Sequence, residues 1–251
     1  MIVPRLIGGL GNQMFQAAAA YALSRRAGAV MAINYDNGWY CITPLGQPSK
    51  YRDTVYSKIP TTGAIPEAEW NEPHYHYAEI PVPSGDLSTV GYYQSPKYFQ
   101  DYKDDIKKLF CFDSAHDCSH LVGDDTTGVH IRRADYTTLT DVHGILGLDY
   151  YKRAIDKAGG ENVVICSDDP DWAYDNFGSD CQISNFESEV DDMYLLSQCK
   201  RVIISNSSFS WWGAYLGKEK EQVIAPDKWF GPGGPDNFSD VYIDSWDRIP
   251  I

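Results

Sequence analysis

The strongest constraint on this chain is the rhythm of its second half, where short apolar runs alternate with longer amphipathic ones from Thr127 to Ala225. Residues 127–132, 162–166, 202–205 and 222–225 read as strands rich in Val and Ile. Residues 149–158, 171–176, 188–199 and 208–216 read as helices, with Gly159-Gly160 and Gly217 as stops. The helix over 188–199 opens with acidic residues, which suits its dipole. Strands separated by helices specify a parallel sheet covered on both faces. Ligands of such sheets lie outside the carboxyl ends of the strands.

The first half starts the same way and then loses its regularity. Residues 2–7 read as a buried strand, Gly8-Gly9-Leu10-Gly11 as a tight turn, and 13–27 as a helix capped by Asn12. Met14, Ala18, Tyr21 and Ala22 form its apolar stripe, and Gly28 stops it. Residues 29–34 read as the next strand. The proline-rich stretch 35–90 reads as loops and short strands over a sheet, and 98–110 as a helix with a charged face. The polar, turn-rich stretch 113–125 is the candidate boundary, dividing the chain into domains 1–122 and 123–251.

Composition narrows the function classes. With 21 Lys and Arg against 35 Asp and Glu, the 251-residue chain carries a formal charge of −14. That argues against nucleic-acid and anionic-membrane partners. An anionic ligand must then be held locally, by a few arginines and by helix N-termini. The six cysteines form no CxxC pair, and Cys166 and Cys199 lie in or beside apolar runs. They read as buried free thiols in a reducing compartment, with no zinc site. No signal-peptide pattern or long apolar run is present, so the expected location is cytoplasmic, with no membrane span.

Four constellations carry chemistry. Gly8-Gly9-Leu10-Gly11-Asn12-Gln13 sits between strand and helix, where glycines let backbone approach a phosphate or sugar. It is not the dinucleotide fingerprint, because Met14 stands where the last glycine belongs. His130-Ile131-Arg132-Arg133-Ala134-Asp135-Tyr136 places two arginines and an aspartate at a strand's carboxyl end, and the guanidinium fork suits phosphate. Asp135 is placed to fix that guanidinium or touch a sugar. Ser205-Asn206-Ser207-Ser208-Phe209-Ser210-Trp211-Trp212 crowds hydroxyls and an amide into a helix's first turn, a seat for a diphosphate. Phe209, Trp212 and Leu216 share one face and read as core. Finally, Ser167-Asp168-Asp169 follows a strand, where a carboxylate accepts from a base or ribose or caps the next helix.

Together with Leu148-Asp149-Tyr150-Tyr151, Gly91-Tyr92-Tyr93-Gln94-Ser95-Pro96-Lys97-Tyr98-Phe99 and Pro226-Asp227-Lys228-Trp229-Phe230, these segments resemble glycosyltransferase family 11, the α-1,2-fucosyltransferases. The resemblance spans nearly the whole chain. It implies an α/β GT-B fold of two facing Rossmann-like domains with a cleft between them. The N-terminal domain 1–122 would bind the acceptor and the C-terminal domain 123–251 the GDP-sugar. It implies GDP-β-L-fucose as donor substrate, a carbohydrate acceptor, inversion at the anomeric carbon, and neither cofactor nor metal. Arg132 would act on the β-phosphate and Asp135 is the second catalytic candidate. Gly9, Gly11, Asn12, Gln13, His130, Arg133, Asp168, Asn206, Ser207, Ser208 and Phe209 complete the donor site. Asp36 and His143 are further candidates for the base.

Two rival readings have features of their own. Asp169-Pro170-Asp171 is a DxD, the motif of metal-dependent transferases. Tyr92-Tyr93-Gln94 and Trp39-Tyr40 would suit a non-catalytic sugar-binding module. His74 and His76 share a strand face, but no third metal ligand accompanies them.

Overall fold

The computed structural model describes residues 1–36, 46–113, 115–159 and 162–251. The chain forms two compact units: Met1–Ser114 with Asn237–Ile243, and Ala115–Asp236 with Asp244–Ile251. The division falls inside the turn-rich stretch 113–125. The return of residues 237–243 to the first unit has no signal in the sequence. Within that unit Asp240 accepts from the Tyr77 backbone N–H at 3.0 Å and pairs with Lys97.

The first unit opens with β1 (Ile2–Pro4), a turn at Gly8 in the left-handed region (φ 81°), and α1 (Leu10–Arg26). The helix begins earlier than the sequence suggests. Gly9, not Asn12, is its N-cap, and Asn12 sits inside the first turn. Nor does α1 carry a simple stripe. Residues 17–20 are four buried alanines, while Tyr21 is part-exposed, so the helix is enclosed on most sides. The buried amides Gln13 and Gln16 grip the preceding loop: Gln16 accepts from Ile7 N–H at 2.8 Å, and Gln13 donates to Gly8 carbonyl at 2.8 Å.

Residues 29–34 do not make the expected strand. Met31 pairs once with Ile2 and Ile33 once with Thr61, so two neighbours share the segment and neither ladder extends. Next come β2 (Ala68–Asn71) and β3 (Leu87–Val90), and the sheet runs β1-β3-β2, all parallel. The expected helix 98–110 is broken. Short 3₁₀ turns at Pro96–Tyr98 and Gln100–Tyr102 precede α2 (Lys103–Leu109). The break is Phe99, which leaves helical geometry (φ −139°) to bury its ring 6.0 Å from Phe15.

The second unit follows its sequence rhythm closely. Its elements are β4 (Thr126–Ile131), α3 (Thr140–His143), α4 (Leu148–Ala158), β5 (Asn162–Ser167), α5 (Pro170–Phe177), β6 (Gln182–Ile183), α6 (Glu189–Gln198), β7 (Arg201–Ile203), α7 (Ser208–Tyr215), β8 (Gln222–Pro226) and β9 (Asp247–Ile249). The sheet runs β6-β5-β4-β7-β8-β9, every pairing parallel. Strand order therefore reverses between β4 and β7, the doubly wound order with its switch point there.

β4 is buried along its whole length and alternates between two packed faces. Val129 and Ile131 join Tyr150, Tyr151, Ala154 and Phe177 in one core layer with α4 and α5. Gly128 faces the other way, where a Cβ would lie 2.9 Å from Cys199 Sγ and 3.2 Å from Leu196. The glycine lets α6 approach the sheet. Cys166 and Cys199 are fully buried free thiols. No helix among the described residues is long and apolar enough to cross a membrane.

Candidate active site

The carboxyl ends of β4, β5 and β7 gather most of the residues singled out in the sequence. Arg132 leaves β4 and is gripped on both sides. Its Nη1 lies 2.6 Å from Asp168 Oδ2, and its Nη2 donates to Asp135 Oδ1 at 2.6 Å. The ring of Tyr136 lies 5.2 Å from the guanidinium carbon. The fork has five N–H groups, and these two pairs occupy two of them. Asp168 also accepts from the Arg133 backbone N–H at 2.8 Å. Burial raises the Asp168 pKa, while Arg132 and the backbone donors oppose that rise.

Arg133 is turned to a different task. Its Nε donates to Asp169 at 3.1 Å, and its guanidinium carbon stacks 4.2 Å from the Trp172 ring. Asp169 in turn caps α5 by accepting from Trp172 N–H at 3.2 Å. Both carboxylate oxygens of the DxD's first residue are thus occupied, and the second, Asp171, lies exposed in the helix's first turn. Among the described residues, no three His, Cys, Asp or Glu side chains gather as a metal site.

His130 is buried at 5% exposure, and its Nδ1 meets Ser205 Oγ at 2.8 Å. Burial, helped by Arg132, pushes its pKa down to about 3, so the imidazole is neutral and carries no charge toward a phosphate. The ring of Phe209 lies 5.0 Å away and is part-exposed rather than in the core, whereas Trp212 and Leu216 are buried as the pattern implied. At the β7–α7 turn, Ser207 is the N-cap, accepting from Phe209 N–H at 3.3 Å. One hydroxyl is enough for that cap, and Ser208 is part-exposed beside it. Asn206 is buried, and its amide reaches carbonyls on two other loops.

The aromatic support under this edge has no signal in the sequence. Tyr136 stacks face to face on His143 at 4.4 Å and 7°, and its hydroxyl donates to the Asn206 carbonyl at 3.2 Å. Burial pushes the Tyr136 pKa up to about 12 and lowers that of His143.

The glycine-loop residues belong to the first unit. Gly9 and Gly11 form the start of α1, and Gln13 is fully buried as scaffold. Asn12 Oδ1 accepts from Gln94 Nε2 at 2.7 Å. Gln94 follows Tyr93, whose φ of 53° makes it the one non-glycine with positive φ among the described residues. Glu72 holds that turn by accepting from Tyr92 and Tyr93 N–H at 2.7 and 3.0 Å. A tyrosine in the left-handed region leaves no trace in sequence, since Asn or Gly is the usual occupant. Tyr93 is fully buried, Tyr92 is exposed, and Trp39 and Tyr40 lie outside the described residues. His74 and His76 stack on each other at 3.5 Å. Asp36 is exposed, its N–H donating to Asn34.

The profile of glycosyl transferase family 11 matches residues 3–248. The chain belongs to this family. The O-antigen biosynthesis glycosyltransferase WbnK of Escherichia coli is 30% identical, over 96% of this chain and 98% of its own. An α-1,2-colitosyltransferase of Escherichia coli is 28% identical, over 99% of each chain. Galactoside α-(1,2)-fucosyltransferase 2 of Rattus norvegicus is 27% identical, over 84% of this chain and 65% of its own. In three dimensions, the α-1,6-fucosyltransferase NodZ co-crystallised with GDP aligns with a TM-score of 0.58. It is 18% identical, over 84% of this chain and 91% of its own. The fold is therefore that of the GT-B fucosyltransferases, and the chain is a glycosyltransferase of family 11.

Proposed function

We propose that this family 11 member is an inverting α-1,2-fucosyltransferase. It moves L-fucose from GDP-β-L-fucose to the 2-hydroxyl of a galactoside, in the cytoplasm and with no metal ion. The observation that carries this reading is Arg132, fixed between Asp135 and Asp168 at the sheet's switch point, beside the start of α7. The rat relative's name supplies the linkage and sugar, and NodZ was crystallised with GDP.

In this reading the acceptor hydroxyl attacks C1 of fucose from the face opposite the phosphate. The C1–O bond breaks, GDP leaves with the bonding pair, and the hydroxyl proton passes to a base. Negative charge builds on the β-phosphate, and donors preorganised there act where it develops. Arg132 is that donor, with the N-terminal end of α7 adding its dipole. Asp135 and Asp168 keep the fork in place. In this reading Asp168 also accepts from the nucleoside. Asp135, Asp36 and His143 are the candidates for the base.

A second reading has one observation behind it: the 28% identical colitosyltransferase makes colitose the alternative transferred sugar. The deciding experiment offers GDP-fucose, GDP-colitose and other nucleotide sugars to lactose and simple galactosides in EDTA, read by mass spectrometry and linkage analysis. Fucose on galactose O2 supports the first reading, and preferential colitose transfer replaces it with the second. Transfer that needs added metal, or no binding of GDP, overturns both.

A further inference from the structure

Asn206 lies between β7 and the N-cap of α7, with 4% of its surface exposed. Its Nδ2 is 2.5 Å from His143 carbonyl, 3.1 Å from Gly144 carbonyl and 3.1 Å from Trp229 carbonyl. Two amide hydrogens are thus shared among three acceptors. Its Oδ1 is buried with no hydrogen-bond partner among the described residues. Reversing the amide would set Oδ1 against three carbonyl oxygens, so its orientation is fixed. The nitrogen has no capacity left for a ligand, and the remaining oxygen is an acceptor, the wrong polarity for a phosphate.

What the amide does hold is the segment 134–144. Asn206 grips its far end through His143 and Gly144, and its backbone carbonyl accepts from Tyr136 near the start. The loop after β8 is fastened to the same segment, with Gly231 N–H on Val142 carbonyl at 2.9 Å and Gly233 N–H on Asp141 carbonyl at 2.8 Å. A Cβ on Gly231 would stand 2.4 Å from Asp141 carbonyl oxygen, so the two backbones are in contact. Within 134–144 stand both residues that touch Arg132 from this side, Asp135 and Tyr136.

We infer that Asn206 is a positioning residue rather than a diphosphate ligand: its amide fastens the loops after β4 and β8 to the β7–α7 turn, and through Asp135 and Tyr136 it sets the pose of Arg132. The link to catalysis rests on the leaving-group role proposed for Arg132. The clamp itself does not depend on which sugar is transferred.

The test compares wild type with Asn206→Ala and Tyr136→Phe. Hydrogen exchange is measured on the ligand-free proteins, GDP affinity by calorimetry, and transfer at saturating donor. In Asn206→Ala, amides in 134–144 and 229–234 are expected to exchange about tenfold faster, while β4 and β5 stay protected. The kcat should fall about 10- to 100-fold, as for a displaced catalytic group, with the GDP Kd changed by less than about threefold. Tyr136→Phe removes the bond to the Asn206 main-chain carbonyl without a cavity and should loosen the same segment to a lesser degree. If Asn206→Ala does not fold, Asn206→Asp, which keeps the side chain's shape but sets an oxygen against the three carbonyls, takes its place in the comparison. Unchanged exchange in 134–144, with GDP affinity falling as far as kcat, would make Asn206 a ligand and overturn the inference. A uniform rise in exchange across the unit would reduce it to general stability and overturn it too. The exchange measurement needs no substrate, so loss of the proposed donor would leave it readable.

Discussion

Replacing Arg132 by lysine tests the core of the functional reading, because it keeps the charge and removes the fork. In the structure the two Nη atoms each reach a different carboxylate at 2.6 Å, Asp168 on one side and Asp135 on the other. An ammonium is a single point with three donors and cannot hold both in that geometry. One carboxylate is left without its partner, and both are less than a third exposed, at 22% and 28%. An exposed pair contributes about 0–1 kcal/mol, and breaking a fully buried one costs about 3–5 kcal/mol. This half-buried site should therefore lose roughly 1–3 kcal/mol of stability, read by urea unfolding.

The effect on rate should be larger. Losing one preorganised donor at a developing oxyanion costs about 10²–10³ in kcat, roughly 2.7–4 kcal/mol of transition-state stabilisation. Ground-state GDP binding should fall less, because the donor acts where charge builds during the reaction. The assay is transfer from saturating GDP-fucose, with GDP affinity measured alongside. Asp135→Asn and Asp168→Asn each leave one carboxylate on the fork, so each should give an intermediate loss. A lysine variant with kcat within about threefold of wild type would refute the leaving-group role, whatever its stability.

Two further outcomes concern the second unit's frame. Burial pushes the Asp192 pKa up to about 6 from 3.8, with Ser184 and Cys166 opposing and Asp191 and Glu189 adding to the rise. A carboxyl raised in the folded state contributes stability below its unfolded pKa, and that contribution is lost as pH rises through about 6. Asp192→Asn should therefore raise unfolding stability by about 2–3 kcal/mol at pH near 7.5 and change little near pH 4, and equal effects at both pH values would contradict the assignment. Gly128→Ala places a methyl 2.9 Å from Cys199 Sγ. It should cost about 1–3 kcal/mol by forcing α6 off the sheet, and a neutral result would show that the helix shifts freely.

The fold was legible where burial and periodicity agree. The βα rhythm of the second unit marks every long strand and helix there, because each buries one side or both against the layer beside it. It misses β6, two residues long, and β9, whose Asp-Arg-Ile carries no apolar period. The first unit was harder because its order comes from side-chain hydrogen bonds, such as those of Gln13, Gln16 and Glu72, that composition cannot announce. At the site, the sequence places Arg132 and Asp135 at the end of β4 and marks Asp168 as a carboxylate at a strand end. What a motif cannot distinguish is a group aimed at a ligand from one that holds it. His130, Arg133 and Asn206 all lie in the motifs, yet Nδ1 of His130 is turned to Ser205, Nε of Arg133 to Asp169, and Nδ2 of Asn206 to three loop carbonyls. Burial and partner geometry separate the two kinds, and both are long-range facts.

Under the proposed function, that separation explains how a chain of net charge −14 would use an anionic donor. Its long-range field opposes a diphosphate, so attraction at a distance cannot be the device. Arg132 itself is bracketed by two carboxylates, which leave little net positive charge at the edge. What remains is direction: a guanidinium held at both Nη atoms by carboxylates, a helix start beside it, and loops hydrogen-bonded to one another around them. Directed donors held by the protein gain most when charge develops opposite them, and least from a ground state that is already solvated. In the proposed reaction the acidic surroundings therefore weaken GDP binding more than they weaken catalysis. Because the decisive contacts are short and partly buried, added salt should screen them far less than it would a surface patch.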